Sequence, residues 1–264
     1  MVSDVHAAAD ALAGAGGADM LICLGDLLLF LDYADPGQGV YAELYGAEYT
    51  RQYIELRLAK RFDEARELTR RLMAEHARSA SGGTDSSGGG LRGPAEPILR
   101  RQYQELFAAL PSPAYLTYGN VDVPDMWAQY LRPGQQVIDG GQVRVGGHSF
   151  GFAGGGLISP YHTPNEVPEE AFRAKLDAMM ADGPVDVVCT HIPPAIPELL
   201  YDTVARRLET GSVALLDLIR RAQPRYAVFG HVHQPLARRV RVGRTECVNV
   251  GHFRATKAPY VLQL

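Results

Sequence analysis

The sequence has no long apolar run, only three cysteines and no excess of basic charge. No run approaches the ~20 apolar residues that a membrane-spanning helix needs, and no basic segment followed by an apolar one opens the chain. The net charge of −4 provides no basic field, which disfavours sequence-independent binding of nucleic acid. We therefore expect a soluble, cytoplasmic protein that has neither a membrane nor a nucleic acid as its partner.

The three cysteines lie singly in apolar runs, at Cys23, Cys189 and Cys247. This placement predicts buried, reduced residues and disfavours both a zinc site and disulfides. Apolar residues, in contrast, are abundant and make up 46% of the 264 residues. A chain of this length and composition can bury a sizeable core, and we expect a single domain over residues 1–264 that carries an insertion.

Apolar runs that end in a polar residue recur along the chain. Strands are predicted at residues 20–24, 114–118, 137–139, 142–145, 149–153, 185–189, 226–229, 236–242, 246–250 and 260–264. Helical patterns at 7–15, 169–180 and 213–222 alternate with them, which indicates an α/β fold with sites beside the strand tips. Only two apolar residues precede Ser3, so the first strand is either a stub or begins upstream of Met1.

Residues 32–110 interrupt this strand pattern with helical periodicity. The predicted helices cover 41–76 and 97–110, and their charged faces are expected to be solvated. Between them, residues 79–93 are rich in glycine and serine and predict a disordered linker. We interpret 32–110 as an inserted helical cap, which either overhangs a site and selects substrate or serves as a dimerisation arm.

Two histidines one residue apart, His231 and His233, follow the apolar run 226–229. Gly230 lets the backbone turn there, so that both imidazoles can be aimed at one point. The ends of the other strands supply further metal-ligand types, and the full set is Asp4, His6, Asp26, Asn120, His191, His231 and His233. Seven ligands are too many for one ion and suggest two ions bridged by a carboxylate. Imidazole with carboxylate favours Mn²⁺, Fe, Zn²⁺, Co²⁺ or Ni²⁺ over Ca²⁺ and Mg²⁺.

In this order the motifs resemble those of the calcineurin-like metallophosphoesterase superfamily, and most of all its small bacterial phosphoesterases of unknown substrate. The motifs are Asp4-x-His6, Gly25-Asp26, Gly119-Asn120-x-Asp122, His191 and Gly230-His231-x-His233. The resemblance implies a two-sheet β-sandwich flanked by helices, a four-layer α-β-β-α fold, here with a helical insertion. It also implies a dinuclear centre at the sheet edge. One ion is assigned to Asp4, His6, Asp26 and His233, and the other to Asp26, Asn120, His191 and His231, with Asp26 bridging.

The activity that the resemblance implies is hydrolysis of a small phosphate ester by a metal-bridging hydroxide, with Mn²⁺ as the favoured ion. Two divalent ions, two carboxylates and a hydroxide leave a charge of about +1, which a phosphodiester anion neutralises. We therefore expect a metal-dependent phosphodiesterase. The alternatives are a phosphomonoesterase and a binding or scaffold protein that keeps the fold with little catalysis.

One position departs from the family pattern. Many relatives have a histidine after the asparagine of the third motif, where it is thought to assist protonation of the leaving group, and this chain has Val121. His162 and His252 are the candidates for a substitute general acid, although either can equally be an ordinary surface histidine. Asp122 keeps the family's acidic position and is expected to orient ligands rather than to bind an ion. The substrate, the native metals and the oligomeric state, including a homodimer, stay open.

Overall fold

The computed structural model of the chain describes residues 1–80 and 92–264. The chain forms two compact units, one of Met1–Leu28 with Tyr103–Leu264 and the other of Leu29–Gln102. Most of the predicted linker at 79–93 lies outside the described residues. The cap predicted at 32–110 falls mainly in the second unit, and its role stays a prediction. Within the described ranges, no helix combines the length and the apolar character needed to cross a membrane.

Two sheets dominate the first unit. The strands in chain order are β1 Leu21–Cys23, β2 Ala114–Leu116, β3 Gln135–Val137, β4 Gly141–Val145, β5 His148–Ala153, β6 Gly156–Leu157, β7 Glu166–Val167, β8 Val187–Thr190, β9 Tyr201–Asp202, β10 Arg207–Leu208, β11 Tyr226–Phe229, β12 Arg239–Val242 and β13 Thr245–Asn249. One sheet has the order β12-β13-β11-β8-β5-β4, with its four inner strands parallel and both edges antiparallel. The other sheet is parallel, with the order β1-β2-β3. Pairs β6/β7 and β9/β10 form two short ribbons.

The inner strands read as continuous apolar runs because both faces of the six-stranded sheet are buried. On one face Phe150 and Phe152 pack in a core that also contains Ile22 of β1, which places this core between the two sheets. On the other face Ala227 and Phe229 pack against helical side chains. The predicted α/β fold, a two-sheet sandwich flanked by helices, is therefore confirmed. The three cysteines are buried and unpaired, as expected.

Two of the eight helices in the described ranges, those over Glu169–Met179 and Val213–Ala222, pack against the outer face of the larger sheet. The helices are α1 Ala9–Ala13, α2 Val40–Leu58, α3 Phe62–Ala80, α4 Arg92–Ala109, α5 Glu169–Met179, α6 Pro197–Leu200, α7 Val213–Ala222 and α8 Phe253–Thr256, with a 3-10 turn at Pro124–Met126. The apolar faces of α5 and α7 contribute Phe172 and Leu215 to the core on that side. Ser212 begins α7, since its hydroxyl accepts from the backbone N–H of Leu215 at 3.0 Å.

The second unit consists of α2, α3 and the first part of α4. The single helix predicted over 41–76 is wrong, because α2 ends at Leu58 and α3 begins at Phe62. Lys60 takes a left-handed conformation (φ 58°) between them, and the apolar periodicity runs through this break because both helices bury residues against one cluster. At the ends of the unit, Leu29 N donates to Gln102 Oε1 at 3.0 Å.

The strand predicted at 260–264 is also wrong. Residues 257–264 have no regular structure, although the backbone of Tyr260 exchanges two hydrogen bonds with Met1, at 2.7 and 2.9 Å. One such pair does not extend into a ladder, and the side chain of Val261 is exposed. Near the start of the chain, Val2 forms an isolated parallel bridge with Cys23. The first predicted strand is thus a single bridging residue beside β1.

Candidate metal centre

Several of the predicted ligands occupy strained turns at the strand tips. Positive φ angles occur at Asp4 (55°), His6 (43°), Asp26 (52°) and His231 (67°). Left-handed backbone costs a residue with a side chain on the order of 1 kcal/mol or more, and such residues concentrate at functional sites. The turns therefore hold conformations that the local sequence alone does not favour.

Glycines allow these turns to approach one another. A Cβ on Gly230 would lie 1.9 Å from Ser3 Oγ and 2.5 Å from Asp4 Oδ2, so only glycine fits between the first and last motifs. A Cβ on Gly25 would lie 2.0 Å from the backbone nitrogen of Gly119, where the second motif meets the third. The close approach explains why a glycine precedes the ligand in three motifs.

On one side of the centre lie Asp4, His6 and His233. The Nε2 atoms of the two histidines are 3.3 Å apart, and His233 Nε2 lies 3.4 Å from Asp4 Oδ1. His6 Nδ1 lies 2.8 Å from the carbonyl oxygen of Leu28 and therefore carries the proton, which leaves the Nε2 lone pair facing the cluster. Asp4 Oδ2 accepts from the backbone of His231 at 3.1 Å. Its Oδ1 is buried and accepts no hydrogen bond from any residue that the structure describes.

On the other side of the centre, two histidines lie close to the amide oxygen of Asn120. His231 Nδ1 lies 3.0 Å from Asn120 Oδ1, and His191 Nε2 lies 3.2 Å from the same atom. His191 Nε2 also lies 3.5 Å from Asp26 Oδ2, while its Nδ1 lies 3.0 Å from the carbonyl of Leu24. The structure thus brings all seven predicted ligands into one continuous cluster.

The charges of the cluster act strongly on one another. Burial by itself raises the pKa of Asp4, but the neighbouring His233, whose Nε2 lies 3.4 Å from Oδ1, more than offsets this and lowers the pKa below its ordinary range. Burial likewise opposes protonation of His191, yet Asp26 raises the pKa of this histidine to about 9. Burial lowers the pKa of His6 and His231. Carboxylates held charged beside imidazoles suit a cation.

The carboxylate of Asp122 binds the backbone of the second and third motifs. Its carboxylate oxygens accept from the backbone N–H groups of Asp26 at 2.8 Å, Leu27 at 2.9 Å and Gly119 at 2.9 Å. Burial and the charge of Asp26 raise the pKa of Asp122 to about 7. These contacts suit a residue that orients the ligand turns.

Sequence reasoning missed Asn249, which fixes the last ligand turn. Its Nδ2 donates to the carbonyls of Gly230 at 3.2 Å and Val232 at 2.9 Å, and its Oδ1 accepts from Gly251 N at 2.8 Å. The side chain is 2% exposed at the end of β13. The signal in the sequence is only an asparagine closing an apolar run, which many turns share.

The two candidate acids lie in different surroundings. His162 is exposed in the loop between β6 and β7, next to Thr163, whose hydroxyl accepts from Asn120 Nδ2 at 3.1 Å. His252 stacks on His233, with ring centroids 3.9 Å apart. Burial and the neighbouring His233 lower the pKa of His252 to about 3.

The donor set fits divalent metal ions. Ligand atoms of Asp4, His6 and Asp26 lie within 4.8 Å of one another, as do those of His6, His233 and His252. The buried, unpartnered Oδ1 of Asp4 is a carboxylate oxygen for which a cation is the natural partner. Mixed imidazole, carboxylate and amide donors are typical of transition-metal sites.

The fold and the cluster together define an α/β protein with a metal-type centre at the tips of its strands. A family model described as calcineurin-like phosphoesterase matches residues 85–235, more than half of the chain. The chain therefore belongs to the calcineurin-like phosphoesterase family, which implies a hydrolase with divalent metals. The match includes Asn120, Asp122, His191, His231 and His233, while the first two motifs precede it.

Solved structures share the fold. One is 17% identical, with a TM-score of 0.58, and the alignment covers 96% of this chain and 89% of the other. A second, TT1561 of Thermus thermophilus, is 15% identical with a TM-score of 0.52, over 96% of this chain and 88% of its own. Among curated proteins, none matches the sequence.

Proposed function

We propose that this chain is a dinuclear metal-dependent phosphodiesterase. The observation that supports the proposal most directly is the cluster of seven ligand-type side chains, in which the buried Oδ1 of Asp4 accepts no hydrogen bond within the described ranges. In this proposal Asp4, His6 and His233 hold one ion, and Asn120, His191 and His231 hold the other. Asp26 bridges the two.

The surrounding backbone orients the imidazoles for this role. His6 and His191 each donate Nδ1–H to a main-chain carbonyl, so that both keep an Nε2 lone pair for an ion. When bound, two divalent ions supply positive charge for the phosphoryl oxygens and a water that loses its proton near neutral pH. Asp122 and Asn249 keep the ligand turns in place while the ester is positioned.

Charge favours a diester as the substrate. Two divalent ions, the carboxylates of Asp4 and Asp26 and one hydroxide would together carry a net charge of about +1. A phosphodiester carries one negative charge and would neutralise it. A monoester is the second candidate, because its extra charge can be met by further contacts. Mn²⁺ is the ion that we propose to test first.

A scaffold with little catalysis is the competing function. Val121 supports it, because no imidazole follows Asn120 to assist the leaving group. The complete ligand set supports the enzyme instead. The roles of His162 and His252 as acids, a cytoplasmic location and a homodimer stay predictions.

Metal content and hydrolysis, measured on one preparation, test the proposal. Elemental analysis after loading with Mn²⁺ should find two ions per chain, and bis(p-nitrophenyl) phosphate should be hydrolysed faster than p-nitrophenyl phosphate. Faster turnover of the monoester would replace the diesterase by a phosphomonoesterase. Two ions without turnover of either ester would favour the scaffold, and no bound metal would contradict both functions.

A further inference from the structure

His252 places a fifth imidazole against the predicted ligands. Its ring stacks on that of His233 at an angle of 18° and meets the ring of His6 edge-on, with centroids 5.6 Å apart. One of its nitrogens lies within 4.8 Å of ligand nitrogens of both residues. Its Nε2 is buried and has no hydrogen-bond partner within the described ranges. A buried polar nitrogen without a partner costs free energy unless a ligand or an ion completes it.

The stacking argues against His252 as a further ligand of the ion that His233 would hold. An ion lies in the plane of each imidazole that binds it, along the lone pair of the nitrogen. The rings of His233 and His252 lie nearly parallel with centroids 3.9 Å apart, so their planes do not meet at a shared ion. The nitrogen of His252 is therefore available to a different group at the same centre.

The backbone fixes His252 at this position. On its C-terminal side, Phe253 N donates to the carbonyl of Ser3 at 3.0 Å, and Arg254 N donates to that of Asp4 at 3.1 Å. The guanidinium of Arg254 also donates to the carbonyl of His6 at 2.8 Å. The turn that carries two predicted ligands thus also holds the segment that carries His252.

We propose that the imidazole of His252 donates a hydrogen bond to the phosphoryl group of a phosphate ester bound at this centre, an inference that rests on the proposed function. Phosphoryl oxygens are strong acceptors, and one nitrogen of His252 lies within 4.8 Å of the ligand nitrogens of His6 and His233, so a phosphoryl group held by an ion at these residues would come close to it. His252 also supplies an imidazole at a centre whose third motif has Val121 in place of histidine.

Binding of inorganic phosphate to the Mn²⁺-loaded, full-length protein tests this contact. Calorimetry should show that His252→Ala lowers the affinity for phosphate about 10-fold, which is the effect of losing one hydrogen bond to a charged group. The number of Mn²⁺ ions per chain should not change. His252→Gln should recover most of the affinity, because the glutamine amide can donate from a similar position. The matched control is His148→Ala, which removes a half-buried histidine at the start of β5 and should leave phosphate binding unchanged.

Two results would overturn the assignment of His252 alone. Phosphate affinity of His252→Ala within about twofold of wild type would exclude the contact, and loss of one Mn²⁺ per chain would make the residue a metal ligand instead. Wild type that binds neither Mn²⁺ nor phosphate would overturn the proposed function along with this inference. Wild type that binds both but hydrolyses no ester would remove the enzyme and leave the phosphate contact supported.

Discussion

Polar contacts differ in their sequence separation between two regions of the molecule. They join distant residues in the turns that carry the predicted ligands, and near neighbours in the helices of Leu29–Gln102. His6 Nε2 lies 3.3 Å from the Nε2 of His233, which is 227 positions away along the chain, and the backbone N–H of Asp26 donates to the carboxylate of Asp122, which is 96 positions away. In α3 the ion pairs join residues three apart, such as Asp63 with Arg66, and their side chains are largely exposed. A contact in the turns has no substitute nearby, whereas each pair on α3 is one of several similar ones. Single changes should therefore be severe in the first region and mild in the second.

The largest effect is expected from Asp26→Ala. Removing the carboxylate that is proposed to bridge the two ions should abolish stable binding of both ions and lower diester hydrolysis by more than about 10³-fold, beyond the cost of losing a single transition-state donor. Elemental analysis and a steady-state assay measure the two effects. The exposed carboxylate of Asp182 provides the control, since Asp182→Ala should retain both ions. An Asp26→Ala protein with two bound ions would refute the bridging role.

Gly25→Ala should produce the next largest effect, on stability. Gly25 has φ 96° and no space for a Cβ, so alanine adds backbone strain and a backbone clash, which together should cost about 3 kcal/mol or more. Gly17 has the same φ with nothing within 4 Å, so Gly17→Ala should cost only about 1 kcal/mol. Urea unfolding measures the loss of stability in each variant. Gly17→Ala reports the backbone strain alone, and the additional loss in Gly25→Ala reports the clash. Equal losses would show that close approach of the turns is unimportant.

Asn249→Ala should weaken metal binding without removing it. The last ligand turn would lose both side-chain hydrogen bonds to its carbonyls, and losses of this kind typically cost about 10–100-fold in metal affinity. Competition with a fluorescent chelator measures the affinity for Mn²⁺. An unchanged dissociation constant would mean that the turn keeps its shape through backbone contacts alone.

Alkaline pH should separate the metal-free from the metal-loaded protein. The folded state raises the pKa of His191 from 6.5 to about 9, so its proton contributes stability below about pH 6.5 that is lost as the pH rises to about 9. An ion bound by His191 would replace this proton, so metal affinity should rise over the same pH range, by at most about tenfold per pH unit. Thermal unfolding at pH 6.5 and pH 9 should show a widening gap in Tm between the two forms. A constant gap would contradict the raised pKa.

The smallest effect is expected on the exposed face of α3. Arg70 pairs with Glu67, and both side chains are about two-thirds exposed or more, at 71% and 67%. Arg70→Ala should shift the Tm by less than about 2 °C, since such pairs contribute little in water. Differential scanning calorimetry at two salt concentrations measures this. A loss as large as that of Gly25→Ala would overturn the contrast between the two regions.

The same contrast explains which features the sequence could predict. Some strands were predictable together with the candidate ligands at their ends, as at Gly25-Asp26. In these places the apolar run and the ligand-type residue are adjacent in the sequence. The α/β class followed from the alternation of strands and helices, and the two-sheet sandwich was implied by the family resemblance; both are confirmed, whereas the pairing of ligands with ions stays a prediction. Asn249 and the carbonyl of Leu28 were not predictable, because nothing local marks a residue that fixes a turn far away in sequence.

The two errors in secondary structure have physical causes of the same kind. Periodicity indicates which face of a helix is buried, but it does not reveal the left-handed residue Lys60, which separates two helices that pack in one cluster. The apolar residues at 260–264 have strand character, but a strand also needs a neighbour with free hydrogen-bonding groups along its whole length. Neither requirement is written in the local sequence.

The hydrogen bond between Leu29 and Gln102 has a consequence for how this protein can be altered. The hydrogen bond shows that the first and last residues of the helical unit are adjacent in space, so the unit is an insertion at a single site of the chain. Because the entropy of closing a loop grows only slowly with its length, insertions of very different size can occupy such a site at similar cost. Replacing residues 29–102 by a short turn should therefore leave the fold of the other unit intact, and the metal content and ester hydrolysis of that variant would show whether the helical unit acts as a cap over the site.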